Sequence, residues 1–273
     1  MARFKLYIEY EGTRYSGWQM QKNAKSIQGK LFEVSDKIFF NNRRRSDDKL
    51  EIYGSGRTDA GVHALCQVAH LEVKTMLAPE IIRMKFNDEL PADVNILEVE
   101  KASQKFHARH DTQKRSYLYQ ISRRRTAFGK PFVWWIKDQL DFNKMEKASK
   151  HFIGMNDFVS FSDKDKEEKS TKVLIEDIQM KEEGDLILIR IVGSHFLWKQ
   201  VRRMVGVLAE VGRGKLLEKD ILYFLEHESP TPAKYTAPPS GLFLEQIIYP
   251  GERLDSVLRP TINISRKQFR NTK

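Results

Sequence analysis

A single cysteine, Cys66, stands in 273 residues, so no disulfide can close within the chain, and the scarcity fits a reducing compartment. No apolar run approaches the roughly 18 residues that a membrane span needs. The opening MARFKLYIEY lacks the apolar segment of a secretory signal. These absences predict a cytoplasmic protein that enters no membrane. Metal signatures are missing too. No His-Glu-x-x-His or Cys-x-x-Cys spacing occurs, and His63, His70, His107 and His110 are scattered through predicted loop and strand. His107 and His110, in HARH, read as phosphate-contacting or structural residues. There is no G-x-S-x-G elbow, although a Ser/His/Asp triad built from distant residues stays open. The nearest approach to a dinucleotide loop, Gly54-x-Gly56-x-x-Asp59, lacks its third glycine, precedes a strand, and carries an anion that would repel a pyrophosphate. GRGK at 212–215 lacks the first glycine and the Ser/Thr of a P-loop. Neither a metal nor a cofactor is expected.

What the chain has in plenty is positive charge. Lys and Arg number 47 against 37 Asp and Glu, a formal net charge of +10. Such a surplus attracts polyanions, nucleic acid foremost, although a basic enzyme with a small acidic substrate would show it too. Mean hydropathy is -0.55, yet 40% of residues are apolar and 11% aromatic, enough for a packed core.

Periodicity divides the chain in two. RFKLYIEY alternates, with Phe4, Leu6, Ile8 and Tyr10 on one face, and reads as a strand. Ser26 caps a helix whose Ile27, Leu31, Val34 and Ile38 recur at helical spacing. NNRRRSDDK is a polar loop. KLEIY and QVAHLEV read as strands on either side of a glycine loop. APEIIRMKFNDEL is a helix stopped by Pro91, and VNILEVEKA a strand. The order β-α-β-β-α-β is that of the ferredoxin-like arrangement. It recurs as KRSYLYQI, the helix FNKMEKASKHFIG with Phe142, Met145 and Phe152 inward, and a hairpin of TKVLIEDIQMK and DLILIRIVG. A long helix HFLWKQVRRMVGVLAEVG follows, with Leu197, Val201, Val205 and Leu208 inward and Gly212 just past its end. The helix EKDILYFLEH and the strand GLFLEQIIY complete the pattern. The expected class is α+β, with two ferredoxin-like (βαββαβ) halves at 1–110 and 111–250. A basic, flexible tail at 251–273 ends in SRKQFRNTK. KDKEEKSTK, from Lys164, reads as a solvated loop.

Within YGSGRTDAGVHA, Tyr53 to Ala64, one acidic side chain sits among glycines. Asp59 can serve as a covalent nucleophile or as a base on a sugar or ring carbon. It must then stay ionised in a site that excludes water, which a nearby guanidinium such as Arg57 favours. The small neighbours Gly54, Gly56, Ala60 and Gly61 let a bulky ligand approach the backbone. The same letters also describe a tight turn in which Asp59 bonds only its own backbone. KRSYLYQI puts Tyr117 and Tyr119 on one face beside Arg115, either to stack on an extruded base or as ordinary strand core. Arg202 falls about one residue's rotation, roughly 100°, off the apolar stripe of its helix. It is either a solvated flank or a partly buried partner for a carboxylate.

Read together, the motifs resemble the tRNA pseudouridine synthase A family. GRTDAGVHA at 56–64 matches its signature loop. EGTRYSGWQMQ with SIQGKLFE, NDELPADVNIL, FHARHDTQKRSYLYQI, GMNDFVSF, FLWKQVRRMVGVLAEVGRGK and TAPPSGLFLEQIIY follow in order across residues 3–250. The resemblance implies two ferredoxin-like halves with a central RNA-binding cleft, a homodimer, no cofactor and no metal. The partner is tRNA, and the usual substrate is a uridine of its anticodon stem-loop. By position, Asp59 would be the catalytic aspartate and Arg57 would help bind RNA or position the flipped uridine. Tyr117 would stack on the target base, and Arg202 would pair with Asp59. FLWKQVR carries Gln200 where bacterial members commonly have methionine, and GSHFL departs from an Asn-containing stretch. Both departures lean towards eukaryotic-type members and leave the modified positions open, elsewhere in tRNA or in another RNA. A binding protein of two RNA-recognition-motif halves shares the element order, but no aromatic ribonucleoprotein motif is present. A nucleotide-dependent enzyme lacks its phosphate loop.

Overall fold

A computed structural model of the chain describes residues 1–163 and 170–264. The KDKEEK run at 164–169 and the SRKQFRNTK end at 265–273 lie outside the described residues. In chain order the elements begin with β1 (Ala2–Tyr10), α1 (Ile27–Phe40), β2 (Leu50–Gly54), β3 (His63–Val73), α2 (Pro79–Glu89) and β4 (Val94–Ala102). They continue with β5 (Lys114–Ser122), β6 (Trp134–Trp135), α3 (Phe142–Ser149), β7 (Gly154–Asp157), β8 (Lys172–Glu183) and β9 (Leu186–Gly193). The last are α4 (Gln200–Gly212), α5 (Glu218–Glu226), α6 (Thr231–Lys234) and β10 (Leu242–Ile248). The chain forms two compact units, one of Met1–Ser116 with Phe243–Leu254, the other of Tyr117–Leu242 with Asp255 onward.

In the first unit β3 pairs antiparallel with both β1 and β2, and β1 with β4, giving the order β4-β1-β3-β2 of a ferredoxin-like sheet. β10 adds a short parallel pairing at His63–Phe243 and Ala64–Leu244. This pairing, with Tyr10 opposite Ala64, carries β3 four residues further back than the apolar pattern of QVAHLEV suggests. The alternation of β1 buries Phe4, Leu6 and Ile8 on one face. α1 contributes Ile27, Leu31 and Val34 to the core, and α2 contributes Ile82 and Phe86. Ser26 caps α1 by accepting from the Gly29 N–H at 3.2 Å. Where β1 shifts register against β4, the Asn87 side chain grips Ile96 through both its N–H and its carbonyl.

The second unit orders its strands β5-β9-β8-β7. β8 and β9 form the predicted hairpin, closed tightly by Gly184 (φ +60) and Asp185. α4 differs from the pattern at both ends. It begins at Gln200, because Lys199 is left-handed (φ 65) and the buried Gln200 side chain accepts from the Leu197 N–H at 2.9 Å. It ends through Gly214 (φ +73), not Gly212. Gly214 donates to Val211 O, and Lys215 donates to Glu210 O, a Schellman closure. Gly212 is needed for another reason: a Cβ there would lie 2.7 Å from the Met145 sulfur of α3. Phe142 and Ile38, expected inward, are half-buried. The two-residue β6 and the one-turn α6 carry too little periodicity to be read from sequence.

Candidate active site

Residues 55–62 link β2 to β3 and carry Arg57 and Asp59. The loop is held along its length. At its start the buried Ser55 donates its N–H to Val68 O (2.8 Å) and its hydroxyl to Gln67 (2.7 Å), while Gln67 donates back to Gly56 O at 3.0 Å. The Arg115 guanidinium reaches the Ser55 carbonyl at 2.8 Å. In the middle, the buried Thr58 hydroxyl meets the Tyr10 hydroxyl at 2.8 Å, and its carbonyl accepts from the Trp18 N–H at 3.1 Å. At the end, Gly61 (φ +77) donates to Tyr15 O and Val62 donates to Asp59 O, both at 3.2 Å.

The second wall of this framework is the 11–18 segment, which lies directly against the loop. A Cβ at Gly17 would overlap the Thr58 carbonyl oxygen and lie 3.1 Å from the Asp59 carbonyl carbon. A Cβ at Gly54 would lie 2.5 Å from the Trp18 indole. The segment is itself tied down. Asp93 accepts from the Tyr15 hydroxyl (2.7 Å) and from Arg14 (2.6 Å), and the Gly12 N–H donates to His63 Nδ1 at 3.0 Å. Burial works against ionisation of Asp93, but the Tyr15 hydroxyl and the Arg14 guanidinium outweigh it and hold its carboxyl below the usual range. The outcome is a rigid loop on which Thr58 is buried, Asp59 half-buried and Arg57 exposed.

Gly56 differs from its neighbours. A Cβ there would make only ordinary contact with Arg115, at 3.6 Å.

Tyr117 and Arg202 belong to the second unit. Tyr117, in β5, is 7% exposed, and the Phe196 ring meets it edge-on at 5.0 Å. Arg202, in α4, is half-buried and donates from Nε to Ala237 O at 2.7 Å, while the Ala237 N–H donates back to Arg202 O at 3.0 Å. The neighbouring Arg203 turns inward and pairs with Asp163. Burial alone would raise the Asp163 pKa, but Lys199 and Arg203 reverse that and lower it. Arg57 and Asp59 therefore share one loop, and Tyr117 and Arg202 stand on separate elements of the other unit.

Sequence reasoning missed Phe196, Trp18 and the Tyr10–Thr58 bond. The Gly17-Trp18 pair beside the motif was the available signal. Phe196 had none, because it reads as one more apolar residue of a helix that in fact starts later. No helix among the described residues is long and apolar enough to cross a membrane. No group of three His, Cys, Asp or Glu among them is placed to hold a metal ion.

The mixed α+β fold with its large mixed sheet is consistent with that of a pseudouridine synthase. The model of the tRNA pseudouridine synthase family matches residues 6–111 and 148–250, and the chain belongs to that family, whose members are isomerases. It is 38% identical over 252 residues to tRNA pseudouridine synthase A of Rhodopseudomonas palustris, covering 91% of this chain and 100% of the relative. It is 34% identical over 251 residues to the protein of that name from Thermoanaerobacter sp., with 91% and 100% covered. It is 36% identical over 253 residues to that from Anaplasma marginale, with 90% and 100% covered. These relatives are bacterial, whereas Gln200 had pointed towards eukaryotic-type members. The structure supplies a local reason for that glutamine, which fastens the first turn of α4.

Proposed function

We propose that the protein converts a uridine in the anticodon stem-loop of tRNA to pseudouridine, with Asp59 as the carboxylate that starts the reaction. The reaction breaks the N-glycosidic bond, turns the uracil and rejoins it through carbon, so no donor or redox partner enters. Asp59 attacks the ribose, attacks the ring, or removes a ribose proton to give a glycal. The observation that carries the reading is the clamped loop: Thr58 is buried and bonded to Tyr10, and the next residue is held half-exposed to meet a substrate. A backbone fixed in this way carries its side chain to the substrate with little reorganisation. The target base must leave its stack at a cost of a few kcal/mol. Phosphate contacts to a chain of net charge +10 offset that cost.

In this scheme Arg57 contacts RNA beside the flipped uridine, Tyr117 stacks on the base, and Arg202 is the arginine that the family resemblance assigns as the partner of Asp59. The working unit is a cytoplasmic homodimer. Asp59→Asn is expected to abolish tritium release from ring-labelled uridine in tRNA while leaving tRNA binding within about twofold. Retained turnover sinks the assignment. A second reading, a uridine elsewhere in tRNA or in another RNA, follows from the departures at Gln200 and in GSHFL. Mapping pseudouridine on unmodified transcripts separates the two.

A further inference from the structure

The stretch between the two ranges matched by the family model contains a surface that the reaction does not use. The chain leaves β5 at Ser122 and returns at β6, where Trp134 and Trp135 pair in parallel with Ile121 and Ser122. The excursion is a built turn. Ser122 Oγ donates to Arg124 O at 2.7 Å, Gly129 N–H to Thr126 Oγ1 at 3.1 Å, and Phe132 N–H to Gly129 O at 2.9 Å. Gly129 is buried and packs so tightly that a Cβ would lie 2.9 Å from Ile262 and from Ile264. On this fixed turn Phe128 is 97% exposed and Trp135 42% exposed. The Arg125 guanidinium lies 5.8 Å from the Trp135 ring centroid.

The turn's own charged residues have one sign. Residues 123–137 hold Arg123, Arg124, Arg125, Lys130 and Lys137 and no acidic residue. Arg123 and Arg124 pair with Glu182 and Asp185 of the β8–β9 hairpin. Arg125, Lys130 and Lys137 are exposed. Open aromatic rings interleaved with cations are what an unpaired nucleotide needs: a π-face for the base and positive charge for the flanking phosphates. Phe, Trp and Arg also favour protein interfaces, but lysine is depleted there, so Lys130 and Lys137 tip the patch towards a polyanion.

We propose that the turn at 123–135 is a second RNA-docking surface, on which an unpaired base of the substrate stacks against Phe128 or Trp135 while Arg125, Lys130 and Lys137 hold neighbouring phosphates. The identity of the RNA rests on the proposed function, whereas docking on this surface does not depend on the catalytic residue. The surface adds to binding and leaves the chemical step alone.

The test measures binding of the full chain to an unmodified tRNA transcript at several salt concentrations, with turnover in parallel. Phe128→Ala is expected to weaken binding about tenfold, raising KM and leaving kcat unchanged. Because Phe128 is almost wholly exposed, this variant spares the fold. Arg125→Ala is expected to reduce the slope of log affinity against log salt by about one. Binding and KM within twofold of wild type for both variants overturn the proposal. So does a change in oligomeric state with affinity per protomer intact, which would make the surface an interface between copies. If the wild type binds tRNA but converts no uridine, while Phe128→Ala still loses affinity, the activity reading fails and this surface stands.

Discussion

Gly17→Ala separates the position of Asp59 from the stability of the fold. Gly17 has φ +93, so alanine there costs about 1–3 kcal/mol of backbone strain. At about 2–4 °C per kcal/mol, the midpoint of thermal unfolding falls by several degrees. The added methyl also overlaps the Thr58 carbonyl oxygen and presses on the backbone of Asp59 and Ala60, at 3.1 and 3.3 Å. Relief requires the loop to move by about 1 Å, a displacement able to cost about 100-fold in rate. The expected result is a folded protein that binds tRNA nearly normally and releases tritium about 100-fold more slowly. Gly214→Ala is the control. Its φ is +73, so it carries similar strain, but nothing lies within 4 Å of the new carbon. It should lose only the strain contribution, less stability than Gly17→Ala, and keep full turnover. Equal turnover in the two variants refutes the claim that the 11–18 segment positions Asp59.

Two further expectations concern stability. Tyr10→Phe removes the hydroxyl that meets Thr58 at 2.8 Å in a buried site. A loss of about 1 kcal/mol is expected in chemical denaturation, together with slower turnover, and an unchanged midpoint refutes the bond's role. His70 is buried, and its pKa is lowered from 6.5 to about 4, by burial first and then by the neighbouring His107 and Arg3 charges, with Glu72 and Asp111 opposing. Its Nδ1 accepts from the Ala108 N–H at 3.1 Å, as a neutral ring must. The unfolded chain binds this proton more readily, so the contribution is whole above pH 6.5 and is lost as pH falls towards 4. Denaturant midpoints at pH 7.5 and 5 should differ, and His70→Asn should reduce that difference. An unaltered difference removes His70 as its source.

Much of the first unit was legible because its signals are local. Alternation in RFKLYIEY, the Ser26 cap and the Pro91 stop each act over a few residues and agree with one another. The long helix was misjudged at both ends for a different reason. Its apolar spacing extends past the point where Lys199 turns left-handed, and hydrophobic periodicity carries no information about a backbone reversal. The start of β3 escaped notice because it depends on β10, some 180 residues away along the chain. Tyr117 looked equally like core or stacking platform, since one pattern serves both.

By itself the sequence determined the α+β class, the α/β order of the first unit, the basic charge and the motif that singles out Asp59. Those properties follow from side-chain type and short-range spacing. Only the tertiary structure decided that the Asp59 loop is rigid, because its restraints come from Tyr10, Tyr15, Gly17, Trp18 and Arg115, drawn from segments distant in sequence. It alone also separated the two arginines of α4, sending Arg203 to Asp163 and Arg202 to the Ala237 carbonyl. Adjacent residues on a helix point about 100° apart, and which of them meets a partner depends on what packs against each face.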